Sequence, residues 1–224
     1  MPSSPRAGRC RRLAEGTDSP LRAEFFARQD ESDDALFYRE PRLVTHIDDE
    51  AIAALTAFYR QLIPDGARVL DLMTSWVSHL PAGKPLSGVA GLGMNLVELE
   101  HNPVLTERVV QDLNKDPALP WGDATFDAAI VTVSVQYLTR PQEVFAEVGR
   151  VLKPGAPFAV SYSNRCFPTK AVAIWQSLGP RDHAELIGLY FRLSGRFGQA
   201  QAYDISPGPG HDPMYVVVAR RVTG

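Results

Sequence analysis

Ala67-Arg68-Val69-Leu70-Asp71-Leu72-Met73-Thr74-Ser75-Trp76-Val77-Ser78 is the stretch on which the fold turns. Its first half is an apolar run closing on an acid, the pattern of a buried strand covered on both faces. Its second half is a bend that carries hydroxylated and bulky side chains where glycine would make a tight turn easy. Upstream, Asp48 is placed to cap a helix running to about Ile63, with Ile52, Leu55, Tyr59 and Leu62 on one face and Pro64-Asp65-Gly66 as its stop. That helix feeds directly into the strand.

Downstream, short apolar runs alternate with helical patterns. Arg68–Met73, Val89–Met94, Arg108–Gln111, Phe126–Val133 and Phe158–Tyr162 read as strands. Between the last two, Val144, Phe145, Val148, Val151 and Leu152 recur at helical spacing, and Pro154-Gly155 ends the run. A further helix is predicted from Asp182 to Gly195. Phe197–Ile205 and Met214–Val222 are β-like with no helix between them, so as neighbours they must pair antiparallel. The reading is an α/β fold: a doubly wound, mostly parallel sheet closed by a C-terminal antiparallel β-hairpin.

Composition narrows the partners. A chain of 224 residues with 45% hydrophobic content can bury one core. A net charge of -3 offers no general attraction to nucleic acid, and the longest central apolar run, Ala128 to Val133, is too short to cross a bilayer. Cys10 and Cys166 are too few for a disulfide framework, so a reducing cytoplasm is expected. His101, His183 and His211 show no ligand spacing with one another, and no metal is expected. Residues 1–23 mix Pro, Ser and Gly with arginines and read as a disordered basic tail; Glu15 and Asp18 count against a transit peptide. Residues 24–47 read as an N-terminal cap segment, and 48–224 as the main domain.

Asp112-Leu113-Asn114, Leu119-Pro120-Trp121, Phe126-Asp127 and Arg150-Val151-Leu152-Lys153-Pro154-Gly155, in this order after the first strand, resemble the class I S-adenosylmethionine-dependent methyltransferases, in particular their small-molecule branch. The resemblance covers roughly Asp48 to Arg221 and implies a Rossmann-like sheet with S-adenosyl-L-methionine as cofactor. It implies Asp71 at the acidic end of the first strand, with Met73, Ser75 and Val77 where alternate glycines would stand. Thr74, Ser75 and Ser78 would then offer hydroxyls to the methionine carboxylate. Asn95 falls at the second strand's end, where the family holds the ribose with an acid; Glu98 and Glu100, a turn later, are expected to face solvent. Asp112 would accept from the adenine amino group and Leu113 present the next backbone N–H, the rival being that Asp112 caps a turn.

The Ser75-Trp76-Val77-Ser78-His79-Leu80-Pro81 run also resembles methyltransferase-like relatives, which makes the altered bend a subfamily trait. The plainer alternative is that Trp76 and His79 pack the first helix against the sheet. The string Gly88-Val89-Ala90-Gly91-Leu92-Gly93 lacks dinucleotide spacing and lies inside a strand pattern. After the fourth strand, Ser134 would meet the cofactor, and Gln136 and Tyr137 the acceptor. Tyr38, Asn164 and Arg165 are further substrate candidates; Arg42 and His46 are placed to cover the same pocket. His46, and Tyr137 beside it, are the candidate catalytic groups, His46 because its titration range suits a general base.

The implied function is methyl transfer to a small-molecule acceptor, with no nucleic-acid or membrane partner and the oligomeric state left open. The alternative is a noncatalytic binding or regulatory module on the same fold. A short-chain oxidoreductase is excluded because no tyrosine has a lysine four positions later.

Overall fold

The structure, a computed structural model, describes residues 21–223. The tail expected over residues 1–23 lies outside the described residues as far as residue 20; Leu21 already packs against the core. Next come the short helix α1 (Asp34–Phe37) and the long helix α2 (Asp49–Leu62). Asp48 caps α2 as its side chain accepts from the Ala51 N–H at 2.8 Å, satisfying one of the first turn's orphan donors.

The strands are β1 (Arg68–Leu72), β2 (Gly88–Gly93), β3 (Glu107–Val110), β4 (Ala128–Thr132), β5 (Pro157–Tyr162), β6 (Gln201–Asp204) and β7 (Tyr215–Arg220). They form one seven-stranded sheet in the order β3-β2-β1-β4-β5-β7-β6. Pairing is parallel from β3 through β5, while β7 runs antiparallel to both β5 and β6, so the C-terminal hairpin is as the sequence predicts. The order reverses between β1 and β4, opening a crevice at their carboxyl ends.

Side chains alternate along the strands and separate two cores. Leu70, Leu72, Ala129, Val131, Phe158 and Val160 face helices α4 (Pro141–Val151) and α6 (Pro180–Leu193), through Phe145, Val148, Ile187 and Phe191. Val69, Val89, Ala128, Ile130 and Ala159 face α2 through Ala51, Leu55 and Tyr59, and Leu99 of helix α3 (Leu96–His101). The Tyr59 hydroxyl shares a 2.8 Å hydrogen bond with the Thr132 hydroxyl, tying α2 to β4. A short helix, α5 (Ala173–Ser177), precedes α6.

No helix lies between β1 and β2, and the segment carrying Trp76 and His79 meets the helix before β1, the His79 carbonyl accepting from the Thr56 hydroxyl of α2 at 3.0 Å. The connection from Met73 to Ser87 is irregular, and α2, from before β1, covers that face instead. The Trp76 ring is half-buried, with Nε1 donating to the Val44 carbonyl at 3.0 Å.

Candidate functional site

The bend after β1 is built around a buried acid. Asp71 shares a face with Val69 and so points toward α2; its carboxylate accepts from the Thr74 hydroxyl at 2.6 Å and from Ser78. Burial pushes its pKa up to about 7, against the pull of those hydroxyls. Met73 turns the chain with φ of 55°, taking the left-handed conformation that glycine would supply; Ser75 and Val77 do not. The Thr74 N–H then bonds the Leu92 carbonyl at 2.9 Å, laying the bend over the end of β2.

That course transfers the glycine requirement to β2. A Cβ on Gly93 would stand 2.3 Å from the Thr74 carbonyl oxygen, and one on Gly91 would stand 2.5 Å from Leu105 Cδ1. The glycines of Gly88–Gly93 therefore make room for the bend and for Leu105, as strand residues rather than a phosphate loop.

Over the carboxyl ends of β1 to β4 lies a cavity of about 300 Å³. Its floor includes Thr74, Ser75, Asp112, Leu113 and Ser134; its roof is Tyr38, Arg42 and His46 from the N-terminal segment; Tyr137, Arg165 and Phe167 complete the wall. The fold thus gathers most of the sequence candidates in one place. Asp112 lines this floor and also serves in a turn, its carboxylate accepting from the Asn114 N–H at 3.0 Å.

Asp71, Asn95, Gln136 and Asn164 are not brought to the cavity wall. Asp71 is held on the α2 face by the bend. Asn95 caps α3, accepting from Glu98 N–H at 3.2 Å, and spends its amide N–H groups on the Tyr38 and Arg39 carbonyls at 2.8 and 3.0 Å. Gln136 is buried with its amide turned onto the Val133 carbonyl at 2.9 Å, and Asn164 is exposed.

Glu98 corrects an expectation. Rather than facing solvent it is buried in the cavity wall, accepting from the Ser75 hydroxyl and the Arg42 backbone N–H at 2.7 Å each, while Glu100 is exposed. The sequence signal was present in Asn95 as a helix cap, which places position 98 in the first turn, facing inward.

Burial sets the ionisation around the cavity. It lowers the pKa of His46, whose ring packs edge-on to Phe167 at 5.3 Å, and lowers His79 to about 4. Both stay neutral at pH 7. Tyr137 is pushed up to about 12 by burial, while its hydroxyl oxygen accepts from the Phe167 N–H at 2.8 Å. It keeps its proton at neutral pH. Away from the cavity, the tertiary structure also gathers ligating atoms of Asp48, Glu50 and His211 within 4.8 Å, a grouping that histidine spacing alone did not reveal. Here Asp48 caps α2 and His211 lies 3.4 Å from Glu50, an ion-pair arrangement at the surface.

Residues 89–160 match a family model described as a methyltransferase domain. Solved structures share the architecture over most of the chain. A [4+2]-cyclase, SpnF, superposes with a TM-score of 0.57 at 16% identity, covering 83% of this chain and 90% of its own. The fold is that of the class I S-adenosylmethionine-dependent methyltransferases. An S-adenosylmethionine-dependent methyltransferase from Aquifex aeolicus gives a TM-score of 0.57 at 18% identity, covering 77% of this chain and 92% of its own. A chain from the complex of the Haloferax volcanii Trm112 methyltransferase activator with a methyltransferase gives 0.58 at 16%, covering 79% and 91%. No curated protein matches the sequence.

This methyltransferase fold implies S-adenosylmethionine, and the residues present fit it through a changed set of contacts. Ser134 Oγ is buried on the cavity wall with no partner, an unmet hydrogen-bonding group open to a ligand. Asp112 and Leu113 flank the same floor, and Glu98 supplies a carboxylate beside the bend. Among the described residues, no helix is long and apolar enough to cross a membrane.

Proposed function

We propose that this protein is an S-adenosylmethionine-dependent methyltransferase acting on a small-molecule acceptor in the cytoplasm. The observation that supports it best is a roofed cavity at the switch point, with Asp112, Leu113 and the unpartnered Ser134 hydroxyl on one wall and Glu98 on another. In this reading Asp112 and Leu113 hold the adenine ring. Glu98, in place of Asn95, receives the ribose hydroxyls, as a carboxylate does well because it only accepts. The Thr74 and Ser75 hydroxyls, which donate to Asp71 and Glu98 here, would turn from those acids to donate to the methionine carboxylate.

When bound, the cofactor supplies an activated methyl group. The chain's own part is then alignment and exclusion of water, which Tyr38, Arg42 and His46 provide by closing the cavity from above. Neutral His46 takes up an acceptor proton where one is released, and Tyr137 orients the acceptor by donating its hydroxyl hydrogen.

Calorimetric titration with S-adenosylmethionine and S-adenosylhomocysteine tests this. Binding is expected, weakened at least tenfold in Asp112→Ala and in Glu98→Gln. Absence of heat at millimolar ligand would leave the second reading, a noncatalytic module on the methyltransferase fold. The feature favouring that reading is the Thr74 carbonyl seated over Gly93, which takes up space beside the ribose position.

A further inference from the structure

Arg42 and Arg165 are the arginines that line the cavity, and their situations differ. Arg165 is neutralised by Asp212 at 2.7 Å. Arg42 forms no ion pair with any described residue. Its Nη2 donates to the Phe37 carbonyl at 2.9 Å, while Nη1 is buried and meets no acceptor. Neither neighbouring acid meets the guanidinium. Asp34 holds Arg28 at 2.8 Å and Lys170 at 3.1 Å, and Glu98 accepts from the backbone N–H of Arg42 and from the Ser75 hydroxyl.

Aromatic rings fix the guanidinium in place. Its Cζ lies 4.5 Å from the Phe37 ring centre, 5.4 Å from Phe167 and 5.9 Å from Tyr38. Stacking of this kind preorganises a planar cationic fork, the geometry suited to a carboxylate. A buried donor left unmet calls for a partner, and a cation in a ring-lined slot favours a flat anionic one.

We infer that the methyl acceptor is a planar, conjugated carboxylate, held through its carboxylate by Arg42 and flanked by Tyr38, Tyr137 and Phe167. This rests on the proposed function, and it assigns the acceptor's chemical class. The other source of a carboxylate is the methionine end of the cofactor. The acceptor is favoured because the rings around the guanidinium, Phe37, Tyr38 and Phe167, offer a flat slot that suits a conjugated acid better than the aliphatic methionine end.

The experiment is calorimetric titration of benzoate and of benzamide, its uncharged counterpart, with and without saturating S-adenosylhomocysteine. Wild type is expected to bind benzoate at least tenfold more tightly than benzamide. Arg42→Met should remove that preference while weakening S-adenosylhomocysteine less than tenfold, and an unchanged circular dichroism spectrum and melting temperature report that the variant is folded. Arg42→Lys, which keeps the charge but not the planar fork, should fall between them and serves if Arg42→Met does not fold.

Equal benzoate binding by wild type and Arg42→Met, or none by wild type, overturns the inference. So does a tenfold loss of S-adenosylhomocysteine with 5′-methylthioadenosine unaffected, since that outcome assigns Arg42 to the cofactor's carboxylate. Failure of S-adenosylhomocysteine to bind at all strikes the proposed function instead, and the benzoate titration without it still reads Arg42 separately.

Discussion

The carboxyl of Asp71 is sealed inside the sheet and carries a raised pKa of about 7, because burial outweighs the hydroxyls of Ser78 and Thr74. Between pH 3.8 and 7 the folded protein therefore holds a proton that the unfolded chain has released. This stabilisation is full below that window and is lost as pH rises through it, by at most about 1.4 kcal/mol per pH unit. Asp71→Asn keeps an acceptor for the hydroxyls without a charge to bury. Urea unfolding at pH 5 and pH 8 should show wild type losing stability toward pH 8 while the variant holds steady; equal losses in both would refute this account. Asp71 was legible in the sequence as the acid ending a strand. Its inward direction was not, because a strand residue's face depends on which helix covers which side.

At the scale of elements, the bend and the strand beside it must be read together. Gly93→Ala would drive a methyl group against the Thr74 backbone carbonyl, which cannot swing aside as a side chain tip does. Its expected cost is about 2–4 kcal/mol in urea unfolding; a cost near zero would mean that the bend does not lie over β2. The N-terminal segment is held by a second device. Lys170 is fully buried, its ammonium 3.1 Å from both Asp30 and Asp34 and donating to the Ser32 carbonyl at 2.8 Å. Asn114 also reaches Asp34 at 3.1 Å, so this clasp joins the roof to the loop that carries Asp112. Removing one member of such a buried group costs about 3 kcal/mol. Lys170→Met should accordingly speed amide hydrogen exchange over residues 28–38 more than in β1 or β4; uniform acceleration would show that the clasp is not local.

For the whole molecule, a ligand that binds only the folded state adds free energy in proportion to its occupancy. S-adenosylhomocysteine at one hundred times its Kd should add about 2.7 kcal/mol, seen as a rise of about 5–11 °C in the melting temperature. No rise at millimolar concentrations would count against the enzyme reading. The sequence by itself determined the sheet, the cap at Asp48, the turn at Gly155, and the candidates Thr74, Asp112, Leu113 and Ser134, because strand alternation, capping and motif order are local properties of the chain. It also carried the missing glycines, though not what replaced them. Only the tertiary structure decided that no helix follows β1, that Glu98 rather than Asn95 faces the cavity, and that Arg42 stands unpaired among aromatic rings. Each of those outcomes depends on which distant segments meet: Thr74 on Gly93, Ser75 on Glu98, Phe37 with Phe167. Space and charge at such meetings belong to pairs of residues, and no single position in the sequence contains them.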